Sequence, residues 1–244
     1  LYGLLRSSLL FYRKLRSELE EYGFVVNPYD PCVANKTVRI KKTVRNRDKD
    51  GKTLKDKDGK PIMVTVAEEK QMTVVWHVDD LMVTCKDNFE ITKFANYIMN
   101  IYGPKLAMHI GPKHDYLGMD LEFTKEGKLE VSMFKFLDQI IKDFPEEITS
   151  KSATPASEHL FKVRDESEAK YLPEEQAVAF HHSVAQLLFI STRARRDIQT
   201  AVSFLTTRVK RPDEDDWGKL RRVLKYLYGT RRLKLTLSID SLTV

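Results

Sequence analysis

The sequence predicts an α+β protein: a split βαβ sheet lacking its first strand, followed by a largely helical second half. Three observations carry this reading. Through residue 124, with a basic excursion at about 36–70 set aside, the predicted order is helix, strand, strand, helix, strand; one more strand at the front gives β-α-β-β-α-β. The run Thr73–Thr84 is rich in Val, Trp and Thr, which favour a pleated backbone, but is interrupted by Asp79-Asp80. After Pro173, three segments place apolar residues at helical spacing.

Residues 5 to 22 form the first predicted helix, with Phe11, Leu15, Leu19 and Tyr22 on one face and Gly23 as its stop. A Pro-containing loop leads to a short strand at Cys32-Val33-Ala34. Residues 36–70 are rich in Lys and Arg and hold the unit Asp-Lys-Asp-Gly-Lys twice, at Asp48 and Asp56. They predict an exposed β-hairpin, Val38 to Val44 pairing with Ile62 to Val66, with Asp-Gly turns between. A calcium loop is excluded, because the twelfth positions are Lys57 and Thr65 where Glu is required.

The Asp-Asp hairpin at 72–85 precedes a helix from Asn88 to Tyr102, capped by Asp87 with Glu90 three residues on. Its inner face is Ile91, Phe94, Ala95 and Ile98. A second hairpin joins Tyr116–Phe123 to Leu129–Val131 across Lys125-Glu126-Gly127. A short helix carries Leu137, Ile140, Ile141 and Phe144. Residues 150–173 read as a polar loop. The late helices carry Phe180, Val184, Leu187 and Leu188; Ile198, Ala201, Val202 and Leu205; and Trp217, Leu220, Leu224 and Leu227, the last beginning at Pro212-Asp213 and ending at Gly229. Leu233, Leu235, Leu237 and Ile239 alternate as a closing strand.

The chain has 244 residues, 42% of them hydrophobic and 31% charged, with a net charge of +6, compatible with a polyanionic partner. Two cysteines, Cys32 and Cys85, exclude a disulfide framework or a cysteine zinc site and suit a reducing, intracellular compartment. No apolar run reaches transmembrane length, so no membrane partner is expected. Leu1-Tyr2-Gly3-Leu4 lacks an initiator Met and Val244 follows a strand-like run; both ends are expected to be cuts from a longer chain.

The residues themselves leave two readings of Asp79-Asp80. One is an acidic turn between strands. The other is a hairpin tip that holds divalent cations against a phosphate chain, since unpaired buried carboxylates are costly and must be solvated, paired or metal-bound.

Beyond single residues, eight short segments occur in the order found in one family. They are Leu1-Tyr2-Gly3-Leu4 with Phe11-Tyr12; Gly23-Phe24 with Asp30-Pro31-Cys32-Val33; His77-Val78-Asp79-Asp80; Tyr116-Leu117-Gly118; Ala153-Thr154-Pro155; Val184 to Phe189; Arg196-Asp197-Ile198; and Arg222 to Thr230. Over nearly its whole length the chain thus resembles the reverse transcriptase of copia-type LTR retrotransposons.

That resemblance implies a right-hand polymerase: a partial palm at 1–124 with the basic hairpin inserted at about 36–70, a thumb-like hairpin and helix at 125–152, and a helical connection region at 153–244 leading toward a ribonuclease H domain. It implies two Mg²⁺ or Mn²⁺ ions held by palm carboxylates, with Asp79 the stronger ligand and Asp80 the secondary one. The implied partners are an RNA or DNA template with a DNA primer, deoxynucleotide triphosphates, and neighbouring integrase and ribonuclease H domains of a polyprotein. The enzyme would act as a single chain or a homodimer, in a cytoplasmic particle or the nucleus. Gly3, Arg6 and His77 fall at positions that the resemblance implies contact nucleotide or template.

The sequence departs from the family at three points. The strand that carries the family's third metal carboxylate lies upstream of the Leu1 segment, so this chain alone is expected to be inactive. Leu5-Arg6 replaces Lys-Gln, and His77 replaces an aromatic residue. Asp120 reads as a surface or cross-strand residue, not a substitute ligand. The alternative is an inactive remnant or a non-catalytic nucleic-acid-binding protein. Arg208, Lys210, Arg211, Arg221, Arg222, Arg231 and Arg232 read either as a phosphate-tracking face or as a solvated helix surface.

Overall fold

A computed structural model describes residues 6–103 and 106–238. The chain divides into two units, Leu1–His109 and Ile110–Val244.

In the first unit, helix α1 (Ser7–Glu21) leads into strands β1 (Val25–Val26), β2 (Val33–Arg45), β3 (Met63–His77) and β4 (Asp80–Cys85), then helix α2 (Asn88–Tyr102). The four strands form one antiparallel sheet in the order β1-β2-β3-β4. Successive side chains on a strand alternate between faces. Ala34, Val38, Met72, Val74 and Trp76 therefore point to one face, where they are buried with Leu15 and Leu19 of α1 and Phe94 and Ile98 of α2. Each of the buried Val, Leu, Ile, Phe and Met side chains contributes about 1.5–3 kcal/mol. Both helices cover the same face, and the other face of the sheet is polar, with Asn35, Gln71 and Thr73 joined by hydrogen bonds of 2.8–2.9 Å.

Helix α2 has the predicted limits, and Asp87 Oδ1 caps it by accepting from the Phe89 and Glu90 amides at 2.7 and 3.4 Å. The short strand at Cys32–Ala34 and the separate basic hairpin are corrected: they are one structure. β2 and β3 pair without a break over thirteen positions, from Val33↔Val75 to Arg45↔Met63, so Val38 faces Lys70 and not Val66. Lys36, Lys42 and Lys70 occupy positions on the inward-facing register, which hid the alternation.

The second unit holds β5 (Lys113–Tyr116), β6 (Met119–Phe123), β7 (Leu129–Ser132) and β8 (Leu235–Leu237) as an antiparallel sheet in that order. With it are helices α3 (Phe134–Asp143), α4 (Glu174–Arg193), α5 (Gln199–Thr206) and α6 (Glu214–Gly229). Phe180, Val184, Leu187, Leu205, Leu220 and Leu224 are among its buried residues. The expected single strand Tyr116–Phe123 is two strands folded at Leu117-Gly118, where φ is +52° and +76°. Positive φ at both central residues is the geometry of a type I′ hairpin turn. These strands pair with β7, so the strand expected to close the βαββαβ order belongs to the second sheet. The closing strand is seen as β8 beside β7; Ile239 and Asp240 lie outside the described residues.

Asp213 opens α6 with a capping box: its Oδ1 accepts from the Asp215 and Asp216 amides at 2.9 Å, and Asp216 Oδ2 accepts from the Asp213 amide at 3.2 Å. Asp213→Ala is expected to cost about 1–2 kcal/mol. The chain has two tryptophans, Trp76 in the first unit and Trp217 in the second. Urea unfolding in a Trp76→Phe background, read from Trp217 fluorescence, measures this loss in the unit concerned.

Candidate active site

The Asp79-Asp80 hairpin is built by the last pairs of β3 and β4, Trp76↔Leu81 and His77↔Asp80, leaving Val78-Asp79 as a two-residue loop. Trp76 is 2% exposed and lies 6.2 Å, centroid to centroid, from the Tyr12 ring of α1. The strand is thus pinned to the core one residue before the turn begins.

Val78 has φ +56°, while Asp79 does not share a positive φ. Positive φ at the first central position alone is the pattern of a type II′ turn, which normally takes Gly there. For a β-branched residue this is a true outlier, with a cost of order 1–3 kcal/mol. Such strain persists where surrounding structure over-determines it, and it clusters at functional sites. Replacing Val78 by Gly should leave the first unit equally stable or raise its stability by up to about 1 kcal/mol, despite the entropy cost of glycine. Trp76 fluorescence in a Trp217→Phe background checks this; a loss of more than about 1 kcal/mol would contradict the strain assignment.

The turn points its charges at water. His77, Val78, Asp79 and Asp80 are all exposed. Neither carboxylate takes part in an ion pair or hydrogen bond among the described residues. Asp80 pairs with His77 across the strands and, by alternation, shares the open face of the sheet with Val75, Met82 and Thr73, away from the helices. Two unpartnered carboxylates in this setting suit Mg²⁺ or Mn²⁺, which take one or two carboxylates together with substrate phosphates and water. No cluster of three or more His, Cys, Asp or Glu side chains able to hold a metal occurs among the described residues. On its outer side β4 has no strand partner among the described residues, being the edge of its sheet.

His77 stands directly opposite Asp80 across the two strands. Arg6 is the exposed residue at the N-cap of α1, and Gly3 lies outside the described residues. Asp120 sits in β6 opposite Asp115 and Ser132. The late basic residues are mostly engaged inside the second unit: Arg208 with Asp216 at 3.0 Å, Arg211 with Glu166 at 3.2 Å, Arg221 with Glu146 at 2.9 Å, and Arg222 with Thr154 at 2.9 Å. The strained Val78 was not visible in the sequence, because Val-Asp is not a turn-forming dipeptide.

The chain is related to retrotransposon polyproteins. It is 22% identical over 234 residues to the retrovirus-related Pol polyprotein from transposon TNT 1-94 of Nicotiana tabacum, covering 94% of this chain and 15% of that protein. It is 23% identical over 237 residues to the putative transposon Ty5-1 protein YCL074W of Saccharomyces cerevisiae, covering 96% of this chain and 65% of that one. A 159-residue match at 28% identity joins it to the uncharacterized mitochondrial protein AtMg00810 of Arabidopsis thaliana, covering 65% of this chain and 62% of the relative. The chain thus spans less than two thirds of each of these relatives. No family model and no solved structure matches it. No described helix is long and apolar enough to cross a membrane.

Proposed function

We propose that this chain is the part of a retrotransposon reverse transcriptase that carries the catalytic Asp79-Asp80 hairpin, and that its first unit is a polymerase palm. The observation that carries the reading is the strained two-residue turn, which presents two exposed, unpartnered carboxylates at the tip of a sheet braced by two helices, with Asp80 on its open face. The relationship to retrotransposon polyproteins supports it.

In this reading Asp79 and Asp80 bind two Mg²⁺ or Mn²⁺ ions together with deoxynucleotide and primer phosphates. When bound, such ions lower the pKa of the attacking hydroxyl and neutralise charge on the leaving pyrophosphate. The protein's share is positioning: phosphoryl transfer needs aligned reactants and placed charge more than covalent help. Trp76 and Tyr12 hold the turn; the open face receives the template–primer duplex. The outer edge of β4, which has no strand partner among the described residues, would accept a strand carrying a third carboxylate. The complete enzyme would draw on neighbouring polyprotein domains and work as a single chain or a homodimer.

Primer extension on an RNA template by the polyprotein containing this chain, with deoxynucleotide triphosphates and Mg²⁺ or Mn²⁺, tests the proposal. Elongated DNA is expected, and its absence with both ions counts against polymerase function. One observation favours a second reading, a catalytically inactive nucleic-acid-binding remnant: only two carboxylates meet at the turn, and no third joins them among the described residues. That reading predicts duplex binding that is insensitive to Mg²⁺ and no extension.

A further inference from the structure

We infer that the β2–β3 ribbon is a docking arm for the phosphate backbone of a nucleic-acid duplex, through the sheet face on which Asp80 lies. Residues 36–70 contain 12 of the chain's 41 Lys and Arg and six of its 35 Asp and Glu, leaving 29 of each elsewhere. The whole net charge of +6 therefore resides on this one segment. Between Lys41 and Gln71 no residue is buried, so the ribbon is a surface feature and not part of the core.

The charge is also sorted by strand. β2 carries five basic side chains and no acidic one. By register, Arg39, Lys41 and Arg45 share a face with Asn35 and Thr73, and through Val75↔Met82 and His77↔Asp80 with the carboxylate turn. Opposite Lys41 and Arg45 stand Ala67 and Met63, which do not neutralise them. Arg39 pairs with Glu69 at 3.0 Å, but both side chains are largely exposed and such pairs are weak. Lys42 and Lys70 lie on the opposite register; Lys70 pairs with Glu68, and Lys36 packs over the Tyr22 ring at 3.9 Å.

The distal turns hold the ribbon's shape. Asn46, Leu54 and Ile62, eight residues apart, close a ring of backbone bonds: Leu54 donates to Asn46, Ile62 to Leu54 and Asn46 to Ile62, at 2.8–2.9 Å. Each Asp-Lys-Asp-Gly-Lys unit forms the same turn. Asp48 Oδ1 accepts from the Asp50 and Lys52 amides, Asp56 Oδ1 from the Asp58 and Lys60 amides, and Gly51 and Gly59 take φ of +81° and +75°. Two of the tip carboxylates are thus held by backbone amides in building the turns.

Side chains on one face of a strand recur every 6.8 Å or so, about two base steps of a duplex. β3 alone, fifteen residues long, spans roughly 45–50 Å from the tip side to His77, about 13 base steps. A duplex whose end reaches the carboxylate turn can therefore lie along the arm. The choice of nucleic acid among polyanions rests on the function proposed for the turn; the basic face itself does not.

The test is fluorescence anisotropy with the full chain and an RNA–DNA hybrid longer than the arm, titrated across NaCl. Lys41→Gln with Arg45→Gln removes two charges from the open face. Lys42→Gln with Lys70→Gln removes two from the opposite face. The open-face pair should weaken binding about tenfold or more near 0.1 M salt and reduce the log–log salt slope by nearly two, at about 0.9 per phosphate contact. The opposite-face pair should change affinity less than about threefold. Primer extension by the polyprotein is read separately: charge-dependent hybrid binding without extension counts against the polymerase reading alone, and hybrid binding that does not depend on the open face counts against the arm. Equal effects from the two double variants, or binding to phosphatidylserine vesicles but not to the hybrid, overturns the inference. Circular dichroism of each variant verifies that the sheet is intact.

Discussion

Asp79→Asn in the complete polyprotein is expected to abolish primer extension while leaving the fold unchanged. Removing one preorganised group that stabilises charge in the transition state typically costs about 10²–10³-fold, and a principal metal ligand sits at or beyond that range. Asp80→Asn, the secondary ligand, should lose less. Asp79 is exposed and no described residue bonds to it, so its loss should alter stability by no more than about 0.5 kcal/mol. Single-turnover extension and urea unfolding of the same variant give both numbers. An inactive variant that is also unfolded would point to a structural role, and an active one would remove Asp79 from the chemistry.

The second large effect is expected far from any catalytic group, at Arg195. This guanidinium is 3% exposed, donates to Asp197 at 2.7 and 3.0 Å, and reaches the Thr230 carbonyl at 3.1 Å and hydroxyl at 2.7 Å. It ties the turn after α4 to the end of α6. Asp197→Ala leaves a buried cation without its counter-charge and should cost about 1–3 kcal/mol, below the value for a fully buried pair because the Asp197 side chain is 33% exposed. Burial alone pushes the Asp197 carboxyl up, but bonds from Arg195 and Tyr226 outweigh it and hold the carboxyl below its ordinary value. A depressed folded pKa means that this stabilisation is complete above the unfolded value near 4 and is lost as pH falls through the folded one. Unfolding of the second unit, followed by Trp217 between pH 3 and 7, should therefore show an acid-side loss that Asp197→Ala reduces, with Glu122 and Glu126, also held low, supplying part of the remainder.

Much of this architecture is legible in the residues. Helix α2 follows from Phe94 and Ile98 at helical spacing and from Asp87 just ahead of them. The start of α6 follows from Pro212-Asp213, and the position of the acidic hairpin from two carboxylates within a strand-like run. What escapes the sequence has a physical cause in each case. Lys36, Lys42 and Lys70 stand on the inward register of β2 and β3, snorkelling or pairing, so a continuous ribbon reads as fragments. Leu117 takes a left-handed conformation that local composition does not signal, which hides the turn between β5 and β6. The strain at Val78 is imposed by the pairing on either side of it, and no local preference of Val or Asp announces it. The role of Arg195 is equally hidden, because an arginine gives no sequence sign of being buried.

The proposed polymerase chemistry requires that Asp79 and Asp80 bind a divalent ion. The most direct measurement is Mn²⁺-induced broadening of backbone amide signals in the 244-residue chain, with a deoxynucleotide triphosphate present. Broadening centred on Val78–Leu81 and lost in Asp79→Asn is the expected result. Broadening centred on the Asp48–Asp58 turns, or unchanged by Asp79→Asn, would contradict the assignment and leave the hairpin a solvated acidic turn.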